Sequence, residues 1–184
     1  MYKVDKQPNT KQGRKGYRIM KYETTEIMGM ELAKRSKVDS GAMGDAYELA
    51  IRYALTGRRW DRVKRQGAPD ITKVIGGKRV RVEIKTACGE LNDTYTAPYV
   101  IYCAEVDPSF PAEEQGYVFT NAEWLAFLNG YTGRGKFIRH DASRGKDHIQ
   151  SFRSASRPKA SKPIAEYIES VLFDMPTVAE FFGE

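Results

Sequence analysis

The chain has 184 residues, of which 41% are hydrophobic and 29% are charged, and its formal net charge at pH 7 is +6. These values are those of an ordinary globular chain and predict one domain with enough residues to bury a core. No apolar run is long enough for a transmembrane helix, and the first residues lack the apolar stretch of a secretory signal. The two cysteines are consistent with a reducing compartment and do not imply a disulfide.

The first part of the chain is predicted to form a basic arm, two helices and a strand. Apolar stripes indicate the helices, a capping side chain opens the second one, and Gly57 is suited to end it. The predicted elements are a flexible basic arm over 1–16, a short strand over 17–22, a helix over 24–37, a helix from Asp39 or Ser40 to about Leu55, and a strand over 58–65.

The stretch GAPDITKVIGGKRVRVEIKTA, residues 67–87, predicts a β-hairpin. Two runs rich in β-branched residues, 71–75 and 78–85, flank Gly76 and Gly77. Two glycines between such runs indicate a tight turn, because glycine adopts a positive φ without strain. The turn pairs the strands so that residue numbers of facing residues sum to 153, and the even-numbered residues of the second strand then form a core face.

This register brings two acids together. Asp70 faces Glu83, and Lys85 lies on the same side of the sheet. Because facing carboxylates repel each other, a cation between them is expected, and Mg²⁺ is the cation most often held by one or two carboxylates. The alternative is an exposed edge where Arg79, Arg81 and Lys85 neutralise the acids.

The second half of the chain is predicted to contain strands, helices and a long basic loop. Apolar runs indicate the strands, and apolar stripes indicate the helices. The predicted elements are strands over 99–106 and 116–120, a helix capped by Asn121 and running to about Leu128, loop or irregular structure over 129–163, and helices over 164–173 and 177–182.

Basic residues are concentrated in three stretches. Residues 1–21 contain seven Lys or Arg and one acid, residues 52–65 contain six and one, and residues 134–162 contain nine and two. Residues 163–184 contain five acids and no Lys or Arg. This distribution indicates one positive face suited to a polyanion, although a scattered and solvated basic surface is the alternative.

One further acid completes a recognisable pattern. Glu48 lies beside the apolar stripe of the second predicted helix, where it is either a half-buried polar residue or an inward-facing ligand. A helix glutamate, then Pro69-Asp70, then Glu83-Ile84-Lys85 on the next strand resembles the PD-(D/E)XK nuclease superfamily over about residues 40–106. The resemblance implies an α/β restriction-endonuclease-like fold, a mixed β-sheet flanked by helices in a single domain over 17–184. One departure is the short segment 86–98, where the superfamily usually has a helix; either that helix is a single turn or the later 121–128 helix replaces it.

The resemblance implies a role for each matching residue. Asp70, Glu83 and the carbonyl of Ile84 would hold Mg²⁺, or Mn²⁺ in its place, and Glu48 would complete the site directly or through water. Lys85 would orient the attacking water or stabilise charge on the phosphate. Glu48, Asp70, Glu83 and Lys85 are therefore the candidate catalytic residues. The candidate DNA-binding residues are Arg58, Arg59, Arg62, Arg79, Arg81, Thr86, Arg153, Arg157, Lys159 and Lys162.

The resemblance also implies an activity and a setting. We expect a metal-dependent deoxyribonuclease of the Holliday-junction-resolvase or phage-nuclease type, acting on duplex or branched DNA in the cytoplasm of a bacterial or phage-infected cell. A homodimer is an assembly that such enzymes commonly use. The alternatives are a catalytically inactive nuclease-fold module that binds DNA or a protein, and a nuclease directed at RNA.

Overall fold

The computed structural model describes residues 22–57, 70–86, 90–92, 97–131, 137–141, 146–152 and 162–183. The predicted arm over 1–16, all but the last residue of the strand over 17–22, and the strand over 58–65 lie outside these ranges. Within them, no helix combines the length and the apolar character needed to span a bilayer. The elements are α1 (Thr24–Leu32), α2 (Ser40–Thr56), β1 (Ile71–Ile75), β2 (Lys78–Thr86), β3 (Glu90–Asn92), β4 (Tyr99–Cys103), α3 (Ala112–Gln115), β5 (Tyr117–Thr120), α4 (Asn121–Gly130), β6 (Phe137–Asp141), β7 (Lys146–Phe152), α5 (Lys162–Phe173) and α6 (Val178–Phe182).

A four-stranded mixed sheet in the order β1-β2-β4-β5 forms the centre of the fold. The β2–β4 pair is parallel, and the other two pairs are antiparallel. On one face, Val82 and Ile84 of β2 pack in a core cluster with residues of α1 and α2, including Ala46. On the other face, Val100 and Tyr102 of β4 pack with residues of α4 and α5. The chain is therefore mixed α/β, with helices on both faces of the sheet, as predicted at this level.

The hairpin between β1 and β2 has the predicted turn and register. Gly76 and Gly77 have φ angles of 54° and 79°, the left-handed conformation for which glycine is suited. The strand pairs run from Ile75↔Lys78 to Ile71↔Val82, so each pair sums to 153. The turn chemistry alone was sufficient to fix which residues of the two strands face each other.

The helix boundaries agree with the sequence in α2 and differ in α1 and α4. In α2, Asp39 accepts a hydrogen bond from the Ala42 N–H at 2.9 Å, and Gly57 ends the helix at φ 64°. The prediction that α1 continues to residue 37 was wrong, because the chain beyond Ala33 is exposed and offers no apolar face to bury. The cap of α4 is Thr120, in a capping box with Glu123, rather than Asn121.

The prediction of loop or irregular structure over 129–163 was wrong in part. Strands β6 and β7 pair antiparallel, and β3 pairs with β7, so that a second sheet has the order β3-β7-β6. In the connection between β2 and β4, the described residues contain β3 and no helix, and α4 follows β5. Backbone pairing to another part of the chain, which local composition does not reveal, stabilises these short strands.

Gly116 is predicted to be essential for packing of the Tyr47 side chain. Tyr47 is fully buried, and burial raises the pKa of its hydroxyl well above the ordinary value. A Cβ atom on Gly116 would lie 1.9 Å from that hydroxyl oxygen. We expect Gly116→Ala to lower the free energy of unfolding by about 1–3 kcal/mol, the usual cost of overpacking. Thermal denaturation followed by circular dichroism measures this loss.

A second substitution and a control test the cause. Tyr47→Phe removes the clashing oxygen, so the double variant Gly116→Ala/Tyr47→Phe should recover most of the lost stability. Gly29→Ala is the matched control, because a Cβ there meets nothing within 4 Å. In the middle of α1 this control should be neutral or stabilising by up to about 1 kcal/mol. A Gly116→Ala variant as stable as the wild type would contradict the prediction.

Candidate active site

Asp70 lies at the end of the β1–β2 ladder, next to the Glu83-Ile84 segment of β2. Its Oδ2 accepts a hydrogen bond from the Ile84 N–H at 2.7 Å. The last residue pair of the β1–β2 ladder is Ile71↔Val82. The Asp70 carboxylate therefore accepts a hydrogen bond from a backbone N–H of β2 that lies beyond the part of the strand paired with β1. The Asp70 side chain is 0% exposed. The hairpin therefore holds a buried carboxylate against the backbone of β2, and the facing of Asp70 and Glu83, one step beyond the last strand pair, stays a prediction.

Glu83 and Lys85 lie side by side on the opposite face of β2 from Val82 and Ile84. The Lys85 Nζ is 3.0 Å from Glu83 Oε1, and the two side chains are 19% and 13% exposed. They share the sheet face that α4 and α5 cover over the neighbouring strand β4. Each group therefore has limited contact with water, which strengthens its electrostatic interactions.

Helix α2 contributes two charged side chains one turn apart. The Nη2 atom of Arg52 forms an ion pair with Glu48. The same atom also lies 3.7 Å from Asp70 Oδ1. The Glu48 side chain is 30% exposed, whereas that of Arg52 is 15% exposed. Arg52 thus links the helix acid to the strand acid. It was missed in the sequence, although the four-residue spacing from Glu48 to Arg52 is a known helix ion-pair signal.

A glycine allows α2 to approach β2 closely near these residues. A Cβ on Gly44, one turn before Glu48, would lie 3.0 Å from Thr86 Oγ1. Thr86 itself is 9% exposed and belongs to the β2 face that packs on α2. Thr86 is thus buried on the side of β2 that faces α2, and its role in DNA binding stays a prediction.

The oxygen donors at this site match the preferences of Mg²⁺. Carboxylates from Asp70, Glu83 and Glu48 and the carbonyl of Ile84 are all hard oxygen ligands. The described ranges contain no ready-made group of three His, Cys, Asp or Glu side chains that could hold a metal ion. Mg²⁺ does not need one, since it is usually held by one or two carboxylates together with water and substrate phosphate. The donor set therefore fits the ion, while Arg52 and Lys85 balance the acids in this structure.

An exposed basic surface extends from the site along the hairpin. Arg79 and Arg81 are exposed, and strand alternation puts them on the same side of β2 as Glu83 and Lys85. Lys162 is also exposed, at the start of α5, where its Nζ lies 3.7 Å from Glu166. The remaining candidate DNA-binding residues, Arg58, Arg59, Arg62, Arg153, Arg157 and Lys159, lie outside the described residues.

Comparison of the chain with protein-family models, with curated proteins and with solved structures gives no match.

Proposed function

We propose that this chain is a metal-dependent deoxyribonuclease with the restriction-endonuclease-like fold of the PD-(D/E)XK superfamily. Two contacts at the end of one hairpin support the proposal, the hydrogen bond from the Ile84 N–H to Asp70 and the ion pair of Lys85 with Glu83. Glu48 of α2 is linked to Asp70 through Arg52, which pairs with Glu48 and lies 3.7 Å from Asp70 Oδ1. The substrate is duplex or branched DNA, and the reaction is hydrolysis of a phosphodiester bond.

Each side chain has a role that follows from its chemistry. Asp70, Glu83 and the Ile84 carbonyl would hold the divalent cation, and Glu48 would support it directly or through water. When bound, Mg²⁺ supplies Lewis acidity and lowers the pKa of a coordinated water. The Lys85 ammonium, beside Glu83, orients the attacking water and stabilises the negative charge that builds on the phosphate. The products carry a 5′-phosphate and a 3′-hydroxyl.

The basic hairpin face binds the DNA backbone. Arg79 and Arg81 are exposed and continue along β2 from Lys85, so they can contact phosphates that flank the scissile bond. Such contacts position a duplex without reading its sequence, and they make affinity fall steeply as salt concentration rises. We therefore expect little sequence preference from this surface alone.

Cleavage assays with defined metals test the proposed function. Supercoiled plasmid and a four-way DNA junction are each incubated with the purified protein in Mg²⁺, in Mn²⁺ and in excess EDTA. We expect cutting with either metal and none with EDTA, because the hydrolysis depends on the cation. A preference for the junction identifies a resolvase, whereas equal cutting of the linear arms identifies a general nuclease. Cutting that persists in EDTA contradicts the proposal.

A DNA-binding module without catalytic activity is the second candidate. It is favoured by the ion pairs of the site, in which Arg52 and Lys85 balance acids that a nuclease would offer to a metal. Under this alternative, the protein binds DNA in a salt-sensitive manner and leaves plasmid and junction intact in both metals. The same assays, run beside a DNA-binding titration, separate the two functions, and a parallel RNA substrate tests whether RNA is cut instead.

A further inference from the structure

Arg52 occupies an unusual position for a helix cation, because it serves two acids of the candidate metal site at once. Its guanidinium forms an ion pair with Glu48 on its own helix and reaches to 3.7 Å from the buried carboxylate of Asp70. Its Nε–H has no hydrogen-bond partner among the residues that the structure describes. The side chain is thus held mainly by the two carboxylates, in a place where it is only 15% exposed.

The contacts of Arg52 with Glu48 and Asp70 balance part of the negative charge of the candidate metal site. Among the residues that the structure describes, the candidate site has three acids, Glu48, Asp70 and Glu83, and the two cations that pair with them, Arg52 and Lys85. Buried carboxylates without a cation are costly, so the metal-free protein needs this internal balance to fold with the site in place. A divalent cation that binds the same oxygens must overcome repulsion from the guanidinium or displace it.

We propose that Arg52 is the internal counter-ion of the metal site, which holds Glu48 and Asp70 in the metal-free protein and competes with the divalent cation for Asp70. This inference rests on the proposed nuclease function and goes beyond it, since it assigns to Arg52 control of metal affinity. Arg52 is a positioning residue in this scheme. It acts through the two acids and needs no contact with DNA.

Arg52 contacts Glu48 more closely than it contacts Asp70, and this difference predicts which acid a divalent cation would separate from Arg52. At 3.7 Å the guanidinium is beyond hydrogen-bonding distance of Asp70 Oδ1, whereas its contact with Glu48 is short. Asp70 would therefore be the acid that leaves Arg52 when a divalent cation binds, and the Glu48–Arg52 pair would stay intact. Asp70 and Glu83 would then hold the cation, and Glu48 would support it through water.

Metal binding by the protein without DNA tests the inference. Titration with Mn²⁺, followed by calorimetry and by the electron paramagnetic resonance signal of free Mn²⁺, gives the dissociation constant. We expect Arg52→Met to bind Mn²⁺ at least about tenfold more tightly than the wild type, because a neighbouring positive charge is removed from a site of low dielectric. Thermal unfolding in EDTA and in Mn²⁺ should show a less stable metal-free variant and a larger stabilisation by the metal.

Three further variants separate charge from packing. Arg52→Lys keeps the charge, so its Mn²⁺ affinity should stay close to that of the wild type. Arg52→Gln is neutral but can hydrogen bond to Glu48, and it should reproduce the tighter binding if Arg52→Met does not fold. Arg35→Met is the matched control, because Arg35 also pairs with two acids, Glu31 and Asp45, and is more exposed than Arg52, at 38% against 15%. This control should bind Mn²⁺ as the wild type does.

The outcomes distinguish the inference from the function on which it rests. If the wild type binds Mn²⁺ and the neutral Arg52 variants bind it equally or more weakly, the counter-ion role is overturned and the nuclease proposal stands. If neither the wild type nor the variants bind Mn²⁺ and no DNA is cut, the metal-dependent function fails and the inference fails with it. Tighter binding by Arg35→Met would also overturn the inference, because net charge alone would then explain the effect.

Discussion

Replacing Lys85 by alanine is expected to lower the rate of DNA cleavage by about 10²- to 10³-fold, the usual effect of removing one group that stabilises transition-state charge. The Lys85 Nζ lies 3.0 Å from Glu83 Oε1, at the location where the metal and the scissile phosphate would meet. DNA affinity should change little, because the exposed Arg79 and Arg81 remain. Single-turnover cleavage of plasmid and an anisotropy titration measure the two quantities separately.

The control for this prediction lies on the same strand. Lys78→Ala removes an equal charge from an exposed position at the turn end of β2, far along the strand from Glu83. It should leave the cleavage rate within a few-fold of the wild type. Equal losses in Lys78→Ala and Lys85→Ala would show that the rate depends on overall charge, and undiminished cutting by Lys85→Ala would remove Lys85 from the mechanism.

Two substitutions of Asp70 are expected to separate its structural role, as acceptor of the Ile84 N–H, from its proposed role as a metal ligand. Asp70→Asn and Asp70→Ala should both reduce metal-dependent cleavage by about 10²-fold or more, because each removes a charged ligand of the cation. Only Asp70→Ala leaves the Ile84 N–H buried without its acceptor, which should cost about 1–3 kcal/mol of unfolding free energy. The Asn side chain retains a carbonyl oxygen that can accept the same hydrogen bond.

Cleavage assays and urea denaturation of both Asp70 variants measure these effects together. The informative result is a stable Asp70→Asn protein that does not cut, since loss of activity then has no structural explanation. An Asp70→Asn variant that cuts at the wild-type rate would show that this carboxylate is not a metal ligand. If both variants lose stability equally, the ion pair with Arg52, rather than the hydrogen bond to Ile84, is the main structural contribution of Asp70.

Local turn and cap chemistry made much of this fold predictable. The Gly76-Gly77 turn has a geometry that few residues other than glycine adopt, so the register of β1 and β2 followed from it without knowledge of the rest of the chain. Helix α2 was equally predictable from the sequence, because Asp39 and Gly57 are specific signals for a helix start and a helix end. The placement of Glu83 and Lys85 on one side of β2 depended only on these local features, whereas the facing of Asp70 and Glu83 stays a prediction.

Contacts between distant parts of the chain accounted for what was missed. Strand β3 has three residues and is defined by its pairing with β7, about sixty residues later in the chain. No local sequence pattern therefore predicts it. The link between Arg52 and Asp70 likewise depends on the packing of α2 against the hairpin. The helix spacing of Glu48 and Arg52 was visible in the sequence, but the contact of Arg52 with Asp70, the residue just before β1, was not.

Under the proposed nuclease function, the hydrogen bond from the Ile84 N–H to Asp70 has a consequence for how that activity would be lost during evolution. A lineage in which DNA cutting was no longer needed would still need a stable hairpin, so purifying selection would continue to act on Asp70. The Lys85 side chain pairs with the Glu83 side chain and satisfies no buried backbone N–H in the way that Asp70 does, so we expect position 85 to change first. Among descendants of such a chain, the residue at position 85 is therefore the better marker of a working enzyme, whereas an aspartate at position 70 identifies only the scaffold.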